Sequence, residues 1–224
     1  MQKKETLVVL DFDGLLINSY KLLKITFMHC GLDIGDEDRF QNRRKFLKYV
    51  GGGKELIGNL VKLSLPKKKL IREQLTETYW NEGEIYPEFT TLINDMIDSP
   101  DVHVGIVSRN FTLHPGKTIR QVLRNSKVNE GAIDFIIPIS TGVKKGNVLE
   151  GMKSPSYKNC IFAADEISDY RAAYETGYNK IFMVSYGFDT KERLIEKGGI
   201  PEEIIFDSPK KLQKKIHKTL LKLS

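Results

Sequence analysis

The chain has 224 residues, of which 40% are hydrophobic and 29% are charged, and its formal net charge is +6. This composition is typical of a soluble globular protein with a substantial core. No apolar run approaches the roughly 20 residues of a membrane helix, and the first apolar segment is too short for a signal peptide. We therefore expect a cytoplasmic protein with no membrane partner.

Strand-like and helix-like segments alternate along most of the chain. The apolar segments that predict strands are residues 7–12, 102–108, 135–139, 160–164, 181–185 and 204–206. The helix-like segments between them are residues 88–99, 116–125, 145–152 and 169–177. This alternation predicts an α/β fold with a doubly wound, Rossmann-like parallel sheet, whose ligands bind at the carboxyl ends of the strands.

Residues 16–86 interrupt the alternation, because they contain no strand-like segment. Helices are predicted there at residues 20–31, 36–50, 54–63 and 66–81. A helical insertion after the first strand lies over the active end of the sheet, where it can act as a lid. We expect an α/β core of residues 1–15 and 87–224 and a helical cap of residues 16–86. A passive helical subdomain is the alternative to a lid.

The positive charge is concentrated at the C-terminal end. Residues 208–224 contain six lysines and no acidic residue, and apolar side chains recur there at helical spacing. This pattern predicts a terminal amphipathic helix with a solvated lysine face. An accessory contact with nucleic acid is the alternative, and the charge is also compatible with anionic ligands.

The most informative motif is the pair of acids Asp11 and Asp13, followed by Gly14, at the end of the first predicted strand. Residues i and i+2 of an extended chain point the same way, so both carboxylates can face one site. Like charges held together are tolerated when a metal neutralises them, and a site lined by oxygen atoms suits Mg²⁺. An ordinary strand-end turn built from Asp and Gly is the alternative interpretation.

Two further segments carry groups suited to phosphate oxygens. The second core strand ends at Ser108 and is followed by Arg109, and a hydroxyl with nearby donors at a strand end can hold such oxygens. Lys144 and Lys145 follow the third strand, and a lysine in the site can keep a carboxylate ionised and offset phosphoryl charge. We favour Lys145, because it immediately precedes Gly146 and a helix. A helix cap at Ser108 and solvated charge at the lysines are the alternatives.

A further group of acids follows the fourth strand, where Asp165, Glu166 and Asp169 occur within five residues. Asp165, at the strand end, is a candidate for a direct metal ligand. Asp169 can order a metal-bound water or pair with a lysine. Acids favour a helix N-terminus, which explains Glu166 and Asp169 but not an acid at the end of an apolar strand.

These motifs, in this order, resemble those of the haloacid dehalogenase-like (HAD) hydrolase superfamily. The resemblance rests on the DxDG start at Asp11 to Gly14, the strand-end Ser108, the lysine at 144 or 145, and the DxxxD motif from Asp165 to Asp169. It covers nearly the whole chain, and the helical insertion is similar to the C1 cap of the phosphoglycolate phosphatase and β-phosphoglucomutase relatives. Leu15 and Ala164 stand where threonine and glycine are usual.

The resemblance implies a phosphoric monoester hydrolase that uses Mg²⁺ and an aspartyl-phosphate intermediate. It implies that Asp11 is the nucleophile and Asp13 the general acid and base. The Asp11 carboxylate, the Asp13 backbone carbonyl and Asp165 would bind Mg²⁺, and Ser108 and the lysine would bind the phosphoryl oxygens. We expect a small phosphorylated substrate, with Arg109 and Lys144 as further candidates for contact with it.

Several alternatives remain open at this point. The presence of Asp13 argues against a haloalkanoate dehalogenase and a phosphonatase, whose relatives lack that second acid. A sugar-phosphate mutase of the β-phosphoglucomutase type is the enzymatic alternative, and a non-enzymatic or nucleic-acid-associated HAD scaffold is the alternative of another class. In the predicted cap, Lys54 is either a ligand for a second anionic group of the substrate or solvated loop charge.

Overall fold

Six strands form one parallel sheet among residues 5–31, 68–140 and 142–223, which are the residues that the computed structural model describes. The strands are β1 (Thr6–Leu10), β2 (Val102–Ser108), β3 (Phe135–Pro138), β4 (Asn159–Ala164), β5 (Lys180–Val184) and β6 (Ile205–Phe206). Their order across the sheet is β3-β2-β1-β4-β5-β6. The predicted α/β fold with a parallel sheet is therefore confirmed.

Helices precede or follow each strand in the described part of the chain. They are α1 (Ser19–His29), α2 (Lys68–Glu82), α3 (Pro87–Asp98), α4 (Pro115–Asn125), α5 (Lys145–Met152), α6 (Ile167–Glu175), α7 (Lys191–Glu196) and α8 (Pro209–Leu221). The predicted helices at residues 36–50 and 54–63 lie outside the described residues. α7 was not predicted, because it has six residues and buries only Leu194, too little for a helical pattern.

The sheet is built around β1, which pairs with β2 on one side and β4 on the other. Leu10 lies beside Ile106 of β2 and beside Ala163 of β4. From β1 the chain adds β2 and β3 on one side, and it then returns to the other side of β1 to form β4. The direction in which strands are added therefore reverses at β1. In open α/β sheets the crevice at such a reversal is where ligands bind.

Both faces of β1 are buried, which explains its continuous apolar sequence. Val8 and Leu10 belong to the hydrophobic core on one face, and Leu7 and Val9 belong to the core on the other face. Alternate residues of a strand point to opposite faces, so a strand covered by helices on both sides needs apolar side chains throughout. The buried strand holds the residues that follow it at a fixed place.

The predicted amphipathic helix at the C-terminal end is present as α8. Leu212 and Ile216 are buried, whereas the six lysines of residues 208–224 are all exposed. The apolar stripe therefore packs on the protein and the charged face meets solvent. Across the described ranges, each helix is too short or too polar to cross a bilayer.

Gly151 and Gly199 form a matched pair for a test of the backbone, since a Cβ added at either would meet no atom within 4 Å. Gly151 lies within α5, whereas Gly199 has a φ of +65°. Gly151→Ala should raise the free energy of unfolding by about 0.5–1 kcal/mol, because alanine restricts the unfolded chain. Gly199→Ala should lower it by about 1–2 kcal/mol, because a side chain disfavours positive φ. Urea unfolding followed by circular dichroism measures both, and changes of the same sign would contradict these conformations.

Candidate active site

A cavity of about 310 Å³ opens at the carboxyl ends of β1, β2 and β4. Asp11, Ser108, Lys145 and Asp165 line it, so the structure brings together residues that are far apart in the sequence. Apolar side chains of α1 and α2, Leu23 and Leu75 among them, form part of its wall. The cavity thus combines a polar floor at the sheet edge with an apolar wall from the two helices.

Three buried carboxylates meet at the floor of the cavity. Asp11, Asp165 and Asp169 each offer an oxygen atom, and these atoms all lie within 4.8 Å of one another. Lys145 Nζ donates to Asp11 Oδ2 at 2.7 Å and also pairs with Asp169. When all four groups are ionised, three negative charges face one positive charge, so two negative charges remain uncompensated.

Three groups of this cluster, Asp165, Asp169 and Lys145, have shifted pKa values. Burial raises the pKa of Asp169 to about 7, although Lys145 opposes the shift. Burial, with repulsion from Glu166 and Asp11, raises the pKa of Asp165 well above its usual range. Burial alone would lower the pKa of Lys145, but the carboxylates of Asp11 and Asp169 outweigh it and raise that pKa. Without a cation, Asp165 and Asp169 therefore favour their protonated forms more than ordinary carboxyls do, and the lysine stays charged.

Two glycines make room for the Asp165 carboxylate. A Cβ on Gly14 or on Gly187 would collide with the Asp165 side chain, and Gly14 also has a φ of +79°. The backbone N–H of Phe188 donates to Asp165 Oδ2 at 2.7 Å. The close approach of two backbone segments fixes the carboxylate in one orientation. Gly187 was not predicted as a site residue, although a glycine shortly after the fifth predicted strand was a usable signal.

The Asp13 side chain belongs to a different set of contacts. Ser19 Oγ and Tyr79 OH donate to Oδ1 at 2.7 and 2.5 Å. Ser108 Oγ and Asn110 Nδ2 donate to Oδ2 at 3.2 and 3.0 Å. Burial raises the pKa of Asp13, and these four hydrogen bonds act against that rise. Ser19, Tyr79 and Asn110 were not predicted as site residues, and of the three Asn110 lies next to a predicted motif, two residues after Ser108.

The other predicted residues lie at the rim of the cavity or away from it. Arg109 and Glu166 line the cavity, and Arg109 Nη2 donates to the Val143 carbonyl oxygen at 2.7 Å. Lys144 is exposed directly before α5 and does not line the cavity formed by the described residues. Lys54 lies outside the described residues.

Comparison with known proteins gives matches among solved structures. No family model matches the sequence, and no curated protein matches it. A putative phosphoglycolate phosphatase from Lactobacillus delbrueckii subsp. bulgaricus superposes with a TM-score of 0.59 at 19% identity, over 96% of this chain and 99% of that one. A putative beta-phosphoglucomutase from Thermotoga maritima superposes with a TM-score of 0.60 at 16% identity, over 95% and 99%. The putative HAD-hydrolase YfnB from Bacillus subtilis, bound to magnesium, gives 0.54 at 13% identity, over 81% and 88%.

The chain has the HAD-like fold. The fold predicted from the four motifs is confirmed by these structural similarities. Within the HAD-like fold, Asp11 follows β1, Ser108 ends β2, and Asp165 follows β4. Lys145 begins α5, and its side chain crosses to the acids of the other two segments. Each motif therefore contributes a side chain to the same edge of the sheet.

Lys145 and Lys144 are adjacent in sequence but differ in burial, which makes them a matched pair. Lys145→Met leaves Asp11 and Asp169 as buried acids without a cation, so the free energy of unfolding should fall by about 3–5 kcal/mol at pH 8. The exposed Lys144→Met should change it by less than about 0.5 kcal/mol. Urea unfolding in EDTA measures both variants.

The decrease in the free energy of unfolding caused by Lys145→Met should be smaller at pH 5 than at pH 8. A carboxyl whose pKa in the folded state lies above its usual value stabilises the fold at low pH and loses that contribution as the pH rises through the folded pKa. For Asp169 this pH range runs from its usual pKa of 3.8 to its folded-state pKa of about 7. Removal of Lys145 raises the folded-state pKa of Asp169 further, because the lysine lowers it. Equal losses at the two pH values would contradict the role of the lysine as counter-charge.

Proposed function

We propose that the protein is a Mg²⁺-dependent phosphatase of the HAD superfamily, which hydrolyses a small phosphate monoester through an aspartyl-phosphate on Asp11. The observation that carries this proposal is the cluster of three buried carboxylates around Lys145, in the cavity at the carboxyl edge of a HAD-like sheet. The similarity in fold to a putative phosphoglycolate phosphatase supports a reaction of this class. A cytoplasmic location remains a prediction.

The residues present fit a divalent cation. Their carboxylate oxygens are hard ligands, and the two uncompensated negative charges of the cluster match the charge of Mg²⁺. The Asp11 carboxylate, the Asp13 backbone carbonyl and Asp165 would hold the ion, with Glu166 and Asp169 beside these ligands. Bound Mg²⁺ would neutralise charge on the phosphoryl oxygens.

The side chains of the cavity suit a reaction in two steps. In the first, an oxygen of Asp11 bonds to phosphorus while the leaving oxygen departs with a proton from Asp13. In the second, Asp13 takes a proton from water as the water oxygen bonds to phosphorus and the bond to Asp11 breaks. Lys145 supplies a positive charge beside Asp11, and Ser108 and Lys145 donate to the phosphoryl oxygens.

We also propose the division into an α/β core of residues 1–15 and 87–224 and a cap of residues 16–86. Leu23 of α1 and Leu75 of α2 line the cavity above the carboxylates, as expected of cap segments that exclude water. In the proposed complex Arg109 contacts the part of the substrate nearest the rim. Roles for Lys54 and Lys144 remain predictions.

Asp11→Asn should abolish turnover, because an amide is not a nucleophile toward phosphorus. Phosphate release should be measured across sugar phosphates, phosphoglycolate, nucleotides and polyol phosphates, with and without Mg²⁺. The variant should lose at least about 10³-fold in kcat. Asp95→Asn, on the exposed face of α3, makes the same chemical change away from the cavity and should keep full activity. Activity retained by Asp11→Asn would exclude the proposed nucleophile.

A sugar-phosphate mutase is the second candidate, because a putative beta-phosphoglucomutase has the same fold. The same screen distinguishes the two reactions. A phosphatase releases one inorganic phosphate for each ester consumed, whereas a mutase consumes a sugar phosphate and accumulates its isomer. Accumulation of the isomer without matching release of phosphate would favour the mutase.

Mg²⁺ binding should release protons, and its apparent affinity should rise between pH 6 and pH 8. The raised pKa values of Asp165 and Asp169 mean that the metal-free cluster holds protons, which a cation must displace. Isothermal titration calorimetry in two buffers of different ionisation enthalpy measures the protons released. Asp165→Asn should lose most of the affinity, and an affinity that is constant over this pH range would contradict the proposed ligand set.

A further inference from the structure

The Asp13 carboxylate accepts hydrogen bonds from four side chains, two on each oxygen. Ser19 is the first residue of α1, Ser108 is the last residue of β2, and Asn110 lies in the loop after β2. The fourth donor, Tyr79, comes from α2 and is 66 residues away in sequence from Asp13. Tyr79 therefore joins a helix outside the sheet to an acid of the DxDG motif.

Tyr79 is held rigidly. Its side chain is 3% exposed and belongs to the same hydrophobic core as Phe12 and Leu75. A buried tyrosine has few rotamers, and its hydroxyl is the polar end of an otherwise apolar ring. That hydroxyl donates to Asp13 Oδ1 at 2.5 Å, the shortest of the four contacts. The phenol is thus a fixed donor at the Asp13 carboxylate.

The helix that carries Tyr79, α2, is hydrogen-bonded to the loop after β2. Arg72 donates from Nε to the Phe111 carbonyl oxygen at 2.9 Å and from Nη2 to the Thr112 carbonyl oxygen at 3.1 Å. The backbone N–H of Leu113 donates to Thr76 Oγ1 at 2.9 Å. α2 therefore has a fixed position relative to the loop that also carries Asn110, another donor to Asp13.

We propose that Tyr79 is a positioning residue, which holds the Asp13 carboxyl in place for its proton transfers. The inference rests on the proposed function, in which Asp13 gives a proton to the leaving oxygen and later takes one from water. Proton transfer needs donor and acceptor within hydrogen-bond reach. Without the phenol, Ser19 would be the remaining described donor to Oδ1, and the carboxyl would spend less time in the productive orientation.

The test compares two substrates that differ in their need for a proton. The first is the alkyl phosphate that the wild-type protein hydrolyses fastest in the screen above, and the second is 2,4-dinitrophenyl phosphate, whose phenolate leaves unprotonated. Tyr79→Phe should lower kcat/KM about 10-fold to 100-fold for the alkyl phosphate and less than about 3-fold for the aryl phosphate. An unfolded fraction lowers both values equally, so their ratio is insensitive to a loss of stability.

Tyr178→Phe is the matched control for deletion of a buried hydroxyl. Tyr178 is 4% exposed, and its hydroxyl donates to the Leu149 carbonyl oxygen at 3.3 Å. This variant should leave the ratio of the two kcat/KM values unchanged. Asp13→Asn should change the ratio in the same direction as Tyr79→Phe but further, with a loss on the alkyl phosphate of about 10²-fold to 10⁴-fold.

Equal losses on both substrates in Tyr79→Phe, or no loss on either, would overturn the positioning role. The proposed function has a separate failure, which is a wild-type protein that hydrolyses neither substrate or an Asp11→Asn variant that stays active. When wild type and Asp11→Asn behave as expected and the Tyr79→Phe ratio does not move, only the positioning role fails.

Discussion

The ion cluster of Lys145 with Asp11, Asp165 and Asp169 is the interaction on which the site depends. Three buried carboxylates repel one another when they are ionised, so in that form they need positive charge between them. The sheet brings the acids together, because β1 lies between β2 and β4 and the segments that follow them meet at one edge. Lysine supplies one positive charge, and the charge that remains suits a divalent cation.

The two acids of the DxDG motif are two residues apart but have different surroundings. Asp11 lies in the ionic cluster beside Lys145, whereas Asp13 is surrounded by four neutral donors. Environments that separate two carboxyls in this way allow them to take different chemical roles. We propose that this separation lets Asp11 act as a nucleophile while Asp13 transfers protons.

Much of this arrangement was predictable from sequence, because it depends on local patterns. The apolar strands fixed the sheet, and an acid or hydroxyl at a strand end identified Asp11, Ser108 and Asp165 as candidates for one site. The contact of Tyr79 with Asp13 was not predictable, since it joins residues 66 positions apart through the packing of α2. Gly187 was not predicted for a similar reason. A side chain is excluded at this position by Asp165, which belongs to another segment of the chain.

The most direct test of the proposed chemistry is to trap the intermediate. Sodium borohydride reduces an acyl phosphate to the alcohol, so the protein should be quenched with it during turnover of its best substrate with Mg²⁺ and then analysed by peptide mass spectrometry. We expect conversion of Asp11 to homoserine, dependent on both substrate and Mg²⁺. Rapid release of phosphate with Asp11 unmodified, or with another residue reduced in its place, would contradict the account.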